Sequence, residues 1–481
     1  MDCAAVLKKL YKGYTGHEAT SVDEMPSSGS NRRYFRLNSS DSTDCLIGVI
    51  GTCKEENEAF LYLDSHFSQK GISVPKVLAV SDDKLAYLQE DLGDTLLFNA
   101  IEKGRITRSF SSEEKDLLIR TIQKLPEIQF AGAVGLDFSK CYPPSEFDER
   151  SIMWDLNYFK YCFLKATGID FLEDKLEDDF HKLADVLMRG KSSTFMYRDF
   201  QSRNVMIKDG EPWFIDFQGG RKGPFFYDVA SFLWQAKANF PDSLRMELID
   251  IYIKALRKYK PVDDEYFHEQ LRHFVLFRTL QVLGAYGFRG YFEKKPHFLQ
   301  SVPFAIANLR DLLKKPYADY PYLDSLLRRL VQMKQFSDAL QKKALTVRVM
   351  SFAYKKGIPN DTTGNGGGFV FDCRAVNNPG KYDRYKPFTG LDQPVIKFLE
   401  DDGEVITFLD SCFALVDASV KRYVERGFTN LMVSFGCTGG QHRSVYCAQH
   451  MAEHIYKTYN VKVELIHREQ NIEQEFTPLN Q

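Results

Sequence analysis

Asp199, Asn204 and Asp216 are the side chains of this sequence best spaced to do chemistry. Arg198-Asp199 is followed by Asn204 in the pattern R-D-x-x-x-x-N, and Ile215-Asp216-Phe217 comes after a turn at Asp209-Gly210 and a short strand-like run. Phosphoryl transfer asks little covalent chemistry of a protein. It needs a carboxylate to orient an acceptor hydroxyl and take its proton, and oxygen ligands to hold Mg²⁺ against nucleotide phosphates. Asp199 suits the first task, and Asn204 and Asp216 suit the second. Taken singly, each is an ordinary loop-capping or turn residue. The joint spacing carries the reading.

A second constellation lies near the C-terminus, in Cys437-Thr438-Gly439-Gly440-Gln441-His442-Arg443-Ser444. It follows a hydrophobic strand-like run and precedes a helical one. A glycine-containing turn in that setting aims backbone N–H groups and a helix N-terminus at one point, which suits an anion. Arg443 adds a bidentate cation. The same C-x5-R-S pattern suits a thiolate attacking phosphorus, with the Cys437 pKa lowered by those amides and the arginine. Three readings stay open: a cysteine-dependent phosphatase, a non-catalytic phosphate-ligand pocket, and a plain strand-to-helix turn with a buried thiol. No general-acid loop for the first is identifiable.

Three zones must position these groups. Residues 1–88 read as short strands with one helix: Tyr34–Leu37, Cys45–Ile50 and Val77–Leu88 are strand-like, and Glu55–Phe67 is helical. Residues 95–340 are mostly helical. Glu113–Phe130, Arg150–Leu164, Ser243–Tyr259 and Tyr322–Leu340 carry apolar residues at three- and four-residue spacing around a β-rich island, Thr194–Phe217. From Thr346 onward strands and helices alternate: Thr346–Tyr354, Phe369–Cys373, Pro394–Glu400 (helix), Leu431–Phe435, Ser444–Tyr459 (helix) and Lys462–His467. That order predicts an α/β domain with a largely parallel sheet. Gly364–Gly368 has no following Lys-Ser/Thr and precedes a strand, so it reads as a flexible loop.

Composition narrows the class. The 481 residues are 44% hydrophobic and 27% charged with a net charge of −2, ordinary for a globular protein and without overall pull towards nucleic acid or membrane. Apolar runs such as Phe369–Phe371 and Leu431–Phe435 are far too short to span a bilayer. The N-terminus has no secretory pattern, and nine scattered cysteines fit reduced thiols in a cytoplasm.

The region around Asp199 resembles the aminoglycoside phosphotransferase and choline kinase branch of the kinase fold. The run FIDFQGGRKGPFFYDVASFL is most similar to bacterial anomeric kinases of N-acetylmuramate and N-acetylglucosamine. The resemblance implies ATP and Mg²⁺ as cofactors, Asp199 as base, Asn204 and Asp216 as metal ligands, and Asp228 as a buried brace. It places Ser28, Gly29 and Ser30 in a phosphate-covering turn, and Gln89 and Asp91 at an adenine-binding hinge. The helix around Trp154 and Tyr158 reads either as a sugar-stacking wall or as core, and the spacing favours core. Two departures stand out. The third strand lacks the phosphate-holding lysine, for which Lys54, Arg32 and Arg33 are substitutes, and Tyr197 stands where histidine is common. A degenerate kinase scaffold is the alternative they raise.

The stretches SFAYKKGIP, FVFDCRAVNNP, KPFTGLDQPV, GCTGGQHRSVYCAQHMA and VELIHRE resemble, in order, the C-terminal domain of the RNase adapter RapZ. That resemblance implies a phosphosugar-binding loop of Cys437, Thr438, Gly439, Gly440, His442 and Arg443, with Arg374 as a second basic contact. From Ala344 onward 15 basic residues face 16 acidic ones, no electrostatic footprint for RNA. An RNA- or protein-binding adapter is the alternative. The expected architecture is an α+β bilobal protein-kinase-like (aminoglycoside phosphotransferase) fold followed by a smaller α/β domain with a mostly parallel sheet. Its boundaries are 1–93, 94–340 and 344–475. The expected function is an ATP-dependent amino-sugar kinase fused to a phosphosugar-binding regulatory domain.

Overall fold

The computed structural model describes residues 3–25, 32–40, 45–190, 192–336, 345–363, 367–426 and 428–478. The chain divides into two compact units, Met1–Met333 and Lys334–Gln481. Ser28, Gly29, Ser30 and most of the Gly364–Gly368 stretch lie outside the described residues.

The first unit opens with an antiparallel sheet in the order β1-β2-β3-β5-β4, with β1 Ser21–Glu24, β2 Arg33–Asn38, β3 Leu46–Ile50, β4 Val77–Val80 and β5 Ala86–Glu90. Period-two alternation sorts β2. Phe35 and Leu37 are buried against Leu7 and Tyr11 of the helix Cys3–Thr15. Tyr34 and Arg36 point to the other face. Val77–Leu88, expected as one strand, is a hairpin. Asp83 accepts the Leu85 N–H (2.9 Å) and the Ser81 hydroxyl, and this local turn chemistry breaks the strand.

The helix Lys54–Gln69 crosses that sheet, stacking Phe60 on Tyr87 (5.1 Å) and on Phe217 (5.0 Å) of the helical part. The helical part is built around Asp264–Gly287, buried on nearly every face and packed on Glu149–Phe159, Phe226–Leu233 and Val302–Leu312. At Gly284 a side chain would come within 2.9 Å of the Phe159 amide nitrogen, so the close helix crossing requires glycine there. Trp154 is exposed beneath Arg150, and only Tyr158 packs, on Phe288. The core reading of that pair fails for Trp154. The helix expected over Tyr322–Leu340 runs from Pro321 to Gln332.

The β-rich island is two ribbons. Strand β6 Thr194–Met196 pairs with β9 Arg221–Gly223, and β7 Val205–Lys208 pairs with β8 Glu211–Phe214. The Asp209-Gly210 turn joins the second pair, both residues at positive φ.

In the second unit β10 Thr346–Ala353, β11 Gly368–Asp372, β12 Asn430–Cys437 and β13 Lys462–His467 form a parallel sheet in the order β11-β12-β10-β13. The edge strand β14, Ile472–Phe476, runs antiparallel. Helices Gln393–Asp402, Glu404–Arg426 and Arg443–Tyr459 supply the cover. The 23-residue helix Glu404–Arg426 and β14 were not expected from sequence. All nine cysteines are free thiols. Among the described residues no helix is long and apolar enough to cross a membrane.

Candidate active site

Asp228 organises the loop that carries Asp199. Fully buried at the start of helix Phe226–Leu233, it accepts the backbone N–H groups of Tyr197 (3.0 Å) and Arg198 (2.9 Å) and the side-chain amide of Gln129 (2.9 Å). Burial pushes its carboxyl up to about 7, against the pull of those three donors. Arg198, held at φ 76, turns the chain so that Asp199 emerges with half its side chain exposed. Arg278 Nη2 stands 3.6 Å from Asp199 Oδ1. The Arg278 guanidinium is fixed from behind by Gln281 (2.9 Å) and Ser231 (3.3 Å), and Gln281 is fixed by Asp155 (2.7 Å). Arg278 lies 79 positions from Asp199 and was not found in the sequence, where no local pattern links them.

Asn204 joins the other two groups. Its Nδ2 donates to the Asp199 carbonyl (2.8 Å) and to Asp216 Oδ2 (3.2 Å), leaving its Oδ1 as a donor to a cation. Gln218 donates to Asp216 Oδ1 at 2.7 Å. Burial first, and the Asp199 charge second, push the Asp216 carboxyl up. Two carboxylates near enough to repel, with an amide oxygen alongside, suit a hard divalent cation that would relieve that repulsion. Among the described residues no group of three or more His, Cys, Asp or Glu side chains could hold a metal alone. A cation here would complete its shell with phosphate oxygens and water, as Mg²⁺ does.

Two clefts meet at Asp216. The smaller, about 300 Å³, is walled by Tyr34, Ile47, Tyr87, Met206 and Ile215 and bordered by Gln89–Leu92. Gln89 lines it directly. The Asp91 carboxylate lines it too, but is tied to Arg36 (2.7 Å) and the Gly93 N–H (2.8 Å). The larger cleft, about 1100 Å³, lies on the helical side. Arg32, Arg203, Asn204, Asp216 and Gln218 line both.

Of the three substitutes for the absent strand lysine, only Arg32 faces the junction. It is buried beside Phe60 and pairs with Glu56 of helix Lys54–Gln69 at 3.2 Å. Arg33 turns outward to Glu24 (2.8 Å), and Lys54 is exposed and lines neither cleft.

In the second unit, Cys437 ends β12 and Arg443 begins the following helix. The Cys437 sulfur accepts the Gly440 N–H (3.2 Å) and lies 3.2 Å from the Ser444 hydroxyl. Burial opposes its ionisation, but Ser444, the Gly440 amide and the Arg443 charge together hold the thiol below its ordinary range. Gly440 sits at φ 66, and a Cβ there would approach the Ala353 nitrogen to 2.8 Å, so this turn requires glycine. Thr438 and Gly439 are exposed at the loop mouth. Arg443 is buried and its Nη1 donates to the carbonyls of Arg374 (2.9 Å) and Val376 (2.8 Å), bracing the segment after β11. His442 is largely buried against the Tyr385 carbonyl (3.1 Å), and the Arg374 side chain is paired with Asp372 (2.6 Å).

Residues 24–262 match the family described as "Phosphotransferase enzyme family", and residues 345–471 match the family "RapZ C-terminal domain". Among curated proteins, the chain is 38% identical over 139 residues to a "Nucleotide-binding protein" of Acidobacterium capsulatum, covering 29% of this chain and 43% of that protein. It is 36% identical over 131 residues to a "Nucleotide-binding protein" of Staphylococcus epidermidis, covering 27% and 42%. The chain thus spans less than half the length of the curated relatives it matches. Solved structures similar to it include the amicoumacin kinase hAmiN in complex with AMP-PNP, Ca²⁺ and Ami (15% identity, TM-score 0.44, 69% of this chain and 93% of that one). Choline kinase LicA from Streptococcus pneumoniae is another (12% identity, TM-score 0.44, 64% and 98%). The chain therefore carries a domain of the phosphotransferase enzyme family followed by a RapZ C-terminal domain.

Proposed function

We propose that the first unit transfers the γ-phosphoryl group of ATP to a hydroxyl of an amino sugar, and that the second unit binds a phosphorylated sugar that regulates it. The observation that carries the first part is the Asn204 side chain, which ties the Asp199 carbonyl to the Asp216 carboxylate at the junction that Asn204 and Asp216 line, while Arg278 of the larger cleft faces the Asp199 carboxylate. The lobe and domain boundaries 1–93, 94–340 and 344–475 belong to this proposal.

The nucleotide base would occupy the smaller cleft along Gln89–Leu92, with its phosphates at the junction. Asn204 and Asp216 would hold Mg²⁺, which when bound neutralises charge on the phosphates. Arg32, fixed by Glu56, supplies a cation to the phosphates from the sheet side, the task of the absent strand lysine. Asp199 takes the proton of the acceptor hydroxyl in the larger cleft, and Arg278 orients its carboxylate. Positioning of this kind supplies most of the rate in phosphoryl transfer. Measuring ATP consumption across a sugar panel, with D199N as control, tests the reading. Turnover that never exceeds the D199N level would overturn it.

For the second unit, the helix start at Arg443 favours an anion at the exposed Thr438-Gly439 mouth. The engagement of Arg443 with two carbonyls disfavours phosphatase chemistry, which needs that cation on the substrate. Glucosamine 6-phosphate is expected to alter the kinetics of the first unit, and G440A to abolish that change.

A further inference from the structure

We propose that Cys437 and Cys373 of the second unit form a reversible oxidation site. A hydroperoxide oxidises the Cys437 sulfur, Cys373 closes a disulfide onto it, and the Gly440 turn is released. Neither the phosphotransfer reading nor a ligand at the loop is needed for it.

Four thiols, Cys373, Cys412, Cys437 and Cys447, are buried in one core. Strand register sets two of them side by side. β11 and β12 run parallel with Phe371 opposite Phe435 and Asp372 opposite Gly436, so Cys373 and Cys437 follow at neighbouring strand ends. Phe371 and Phe435 stack at 5.2 Å, which marks the face that the two cysteines, each two residues on, share. Asp372 keeps extended backbone (φ −96, ψ 106), so the alternation carries through to Cys373. Paired strands lie about 4.8 Å apart, inside the range of about 4.4–6.8 Å between Cα atoms that a disulfide bridges. Arg443 holds the arrangement by donating to the carbonyls of Arg374 (2.9 Å) and Val376 (2.8 Å), just past Cys373.

The two thiols divide the work. Cys437 lies beneath the exposed Thr438-Gly439 mouth, the approach for a small peroxide, and its sulfur accepts the Gly440 N–H (3.2 Å) beside the Ser444 hydroxyl (3.2 Å). Burial opposes its ionisation, but Ser444, the Gly440 amide and the Arg443 charge outweigh burial and favour the thiolate, the form that peroxide oxidises. Burial first, and a hydrogen bond with Cys447 second, push the Cys373 thiol well up, so it resolves rather than initiates. Cys412, pushed up to about 12 by burial, is the inert neighbour.

The Cys437 thiolate attacks one peroxide oxygen, the O–O bond breaks, and a sulfenic acid and hydroxide result. The Cys373 sulfur then attacks the sulfenic sulfur. The S–S bond forms, the S–O bond breaks, and the departing hydroxide takes the Cys373 proton and leaves as water. The two sulfurs lose two electrons and the peroxide gains them. A dithiol reverses the change by exchange. In the disulfide, Cys437 no longer offers the Gly440 amide a thiolate, and the turn loses that bond.

The test treats the full-length chain with hydrogen peroxide at neutral pH and maps its cysteines by mass spectrometry, before and after dithiothreitol. A Cys373–Cys437 cross-link should form and disappear on reduction, with Cys437 consumed at least about tenfold faster than Cys412. Hydrogen exchange at Gly440 should accelerate in the cross-linked chain. In C373A, Cys437 should stop at a sulfenic acid trapped by dimedone, then overoxidise to a sulfinic acid that dithiothreitol does not reverse. The cross-link is read in the native chain, so a variant that fails to fold leaves the test intact. A Cys437 that stays reduced, a link from Cys437 to Cys447 in place of Cys373, loss of Cys412 at an equal rate, or Gly440 exchange unaltered by the cross-link would each overturn the proposal.

Discussion

Arg32 Nη2 lies 3.2 Å from Glu56 Oε1, joining the residue before β2, which lines both clefts, to the first turn of helix Lys54–Gln69 on the wall of the larger one. On the proposed reading the pair couples helix placement to phosphate binding. E56Q is therefore expected to raise KM for ATP and lower kcat together, and R32A to cost about 10²-fold or more in kcat/KM. R32K should retain part of the activity, since it keeps the charge and loses the fork. Steady-state kinetics with ATP varied at fixed acceptor provide the check.

D199N is expected to lower kcat by about 10²- to 10⁴-fold with little change in nucleotide affinity. Asp199 is half exposed, so its substitution should leave the urea midpoint near that of the native chain. R278Q is expected to reduce kcat less than D199N does, because it loosens the orientation of the Asp199 carboxylate and leaves the carboxylate itself in place.

Asp228 has a structural task that can be measured apart from activity. D228A would strand the Tyr197 and Arg198 amides and the Gln129 side chain in a dry interior, at a cost on the order of 3 kcal/mol. Trp154, Trp213 and Trp234 all belong to the first unit, so tryptophan fluorescence during urea unfolding reports this loss selectively.

His467 makes the second unit sensitive to acid. The ring is buried beside Ser351 (2.9 Å), and burial pushes its pKa down to about 4 from the ordinary 6.5. The folded state therefore binds this proton less readily than the unfolded state. Its contribution to stability is complete above pH 6.5 and is lost as pH falls from 6.5 towards 4. Hydrogen exchange in β10 and β13 should accelerate across that window, and H467Q should flatten the dependence.

Much of this architecture was legible because its signals are local. The Asp209-Gly210 turn between apolar runs announced the β7–β8 ribbon, and R-D-x-x-x-x-N announced the loop above it. The helix Glu404–Arg426 also carried a signal, since Val405, Leu409, Cys412, Val416 and Val420 recur at three- and four-residue spacing and are buried. It was obscured because only Gly403, at φ 78, separates it from the preceding helix. Arg278 illustrates the opposite limit: its place beside Asp199 comes from helix packing alone. The role of Arg32 was legible only as one of three cations, until burial separated it from Arg33 and Lys54.

Arg198 and Asp216 both occupy left-handed backbone, at φ 76 and φ 66, on the two sides of Asp199 and Asn204. Arginine in that region costs about 1 kcal/mol or more relative to glycine. Aspartate tolerates it better, yet still gains nothing from it as a fold element. A lineage released from phosphoryl transfer would thus be rewarded for exchanging either residue for glycine or asparagine, growing sturdier as it fell silent. The identity of these two positions in any descendant would record whether the proposed transfer persists there.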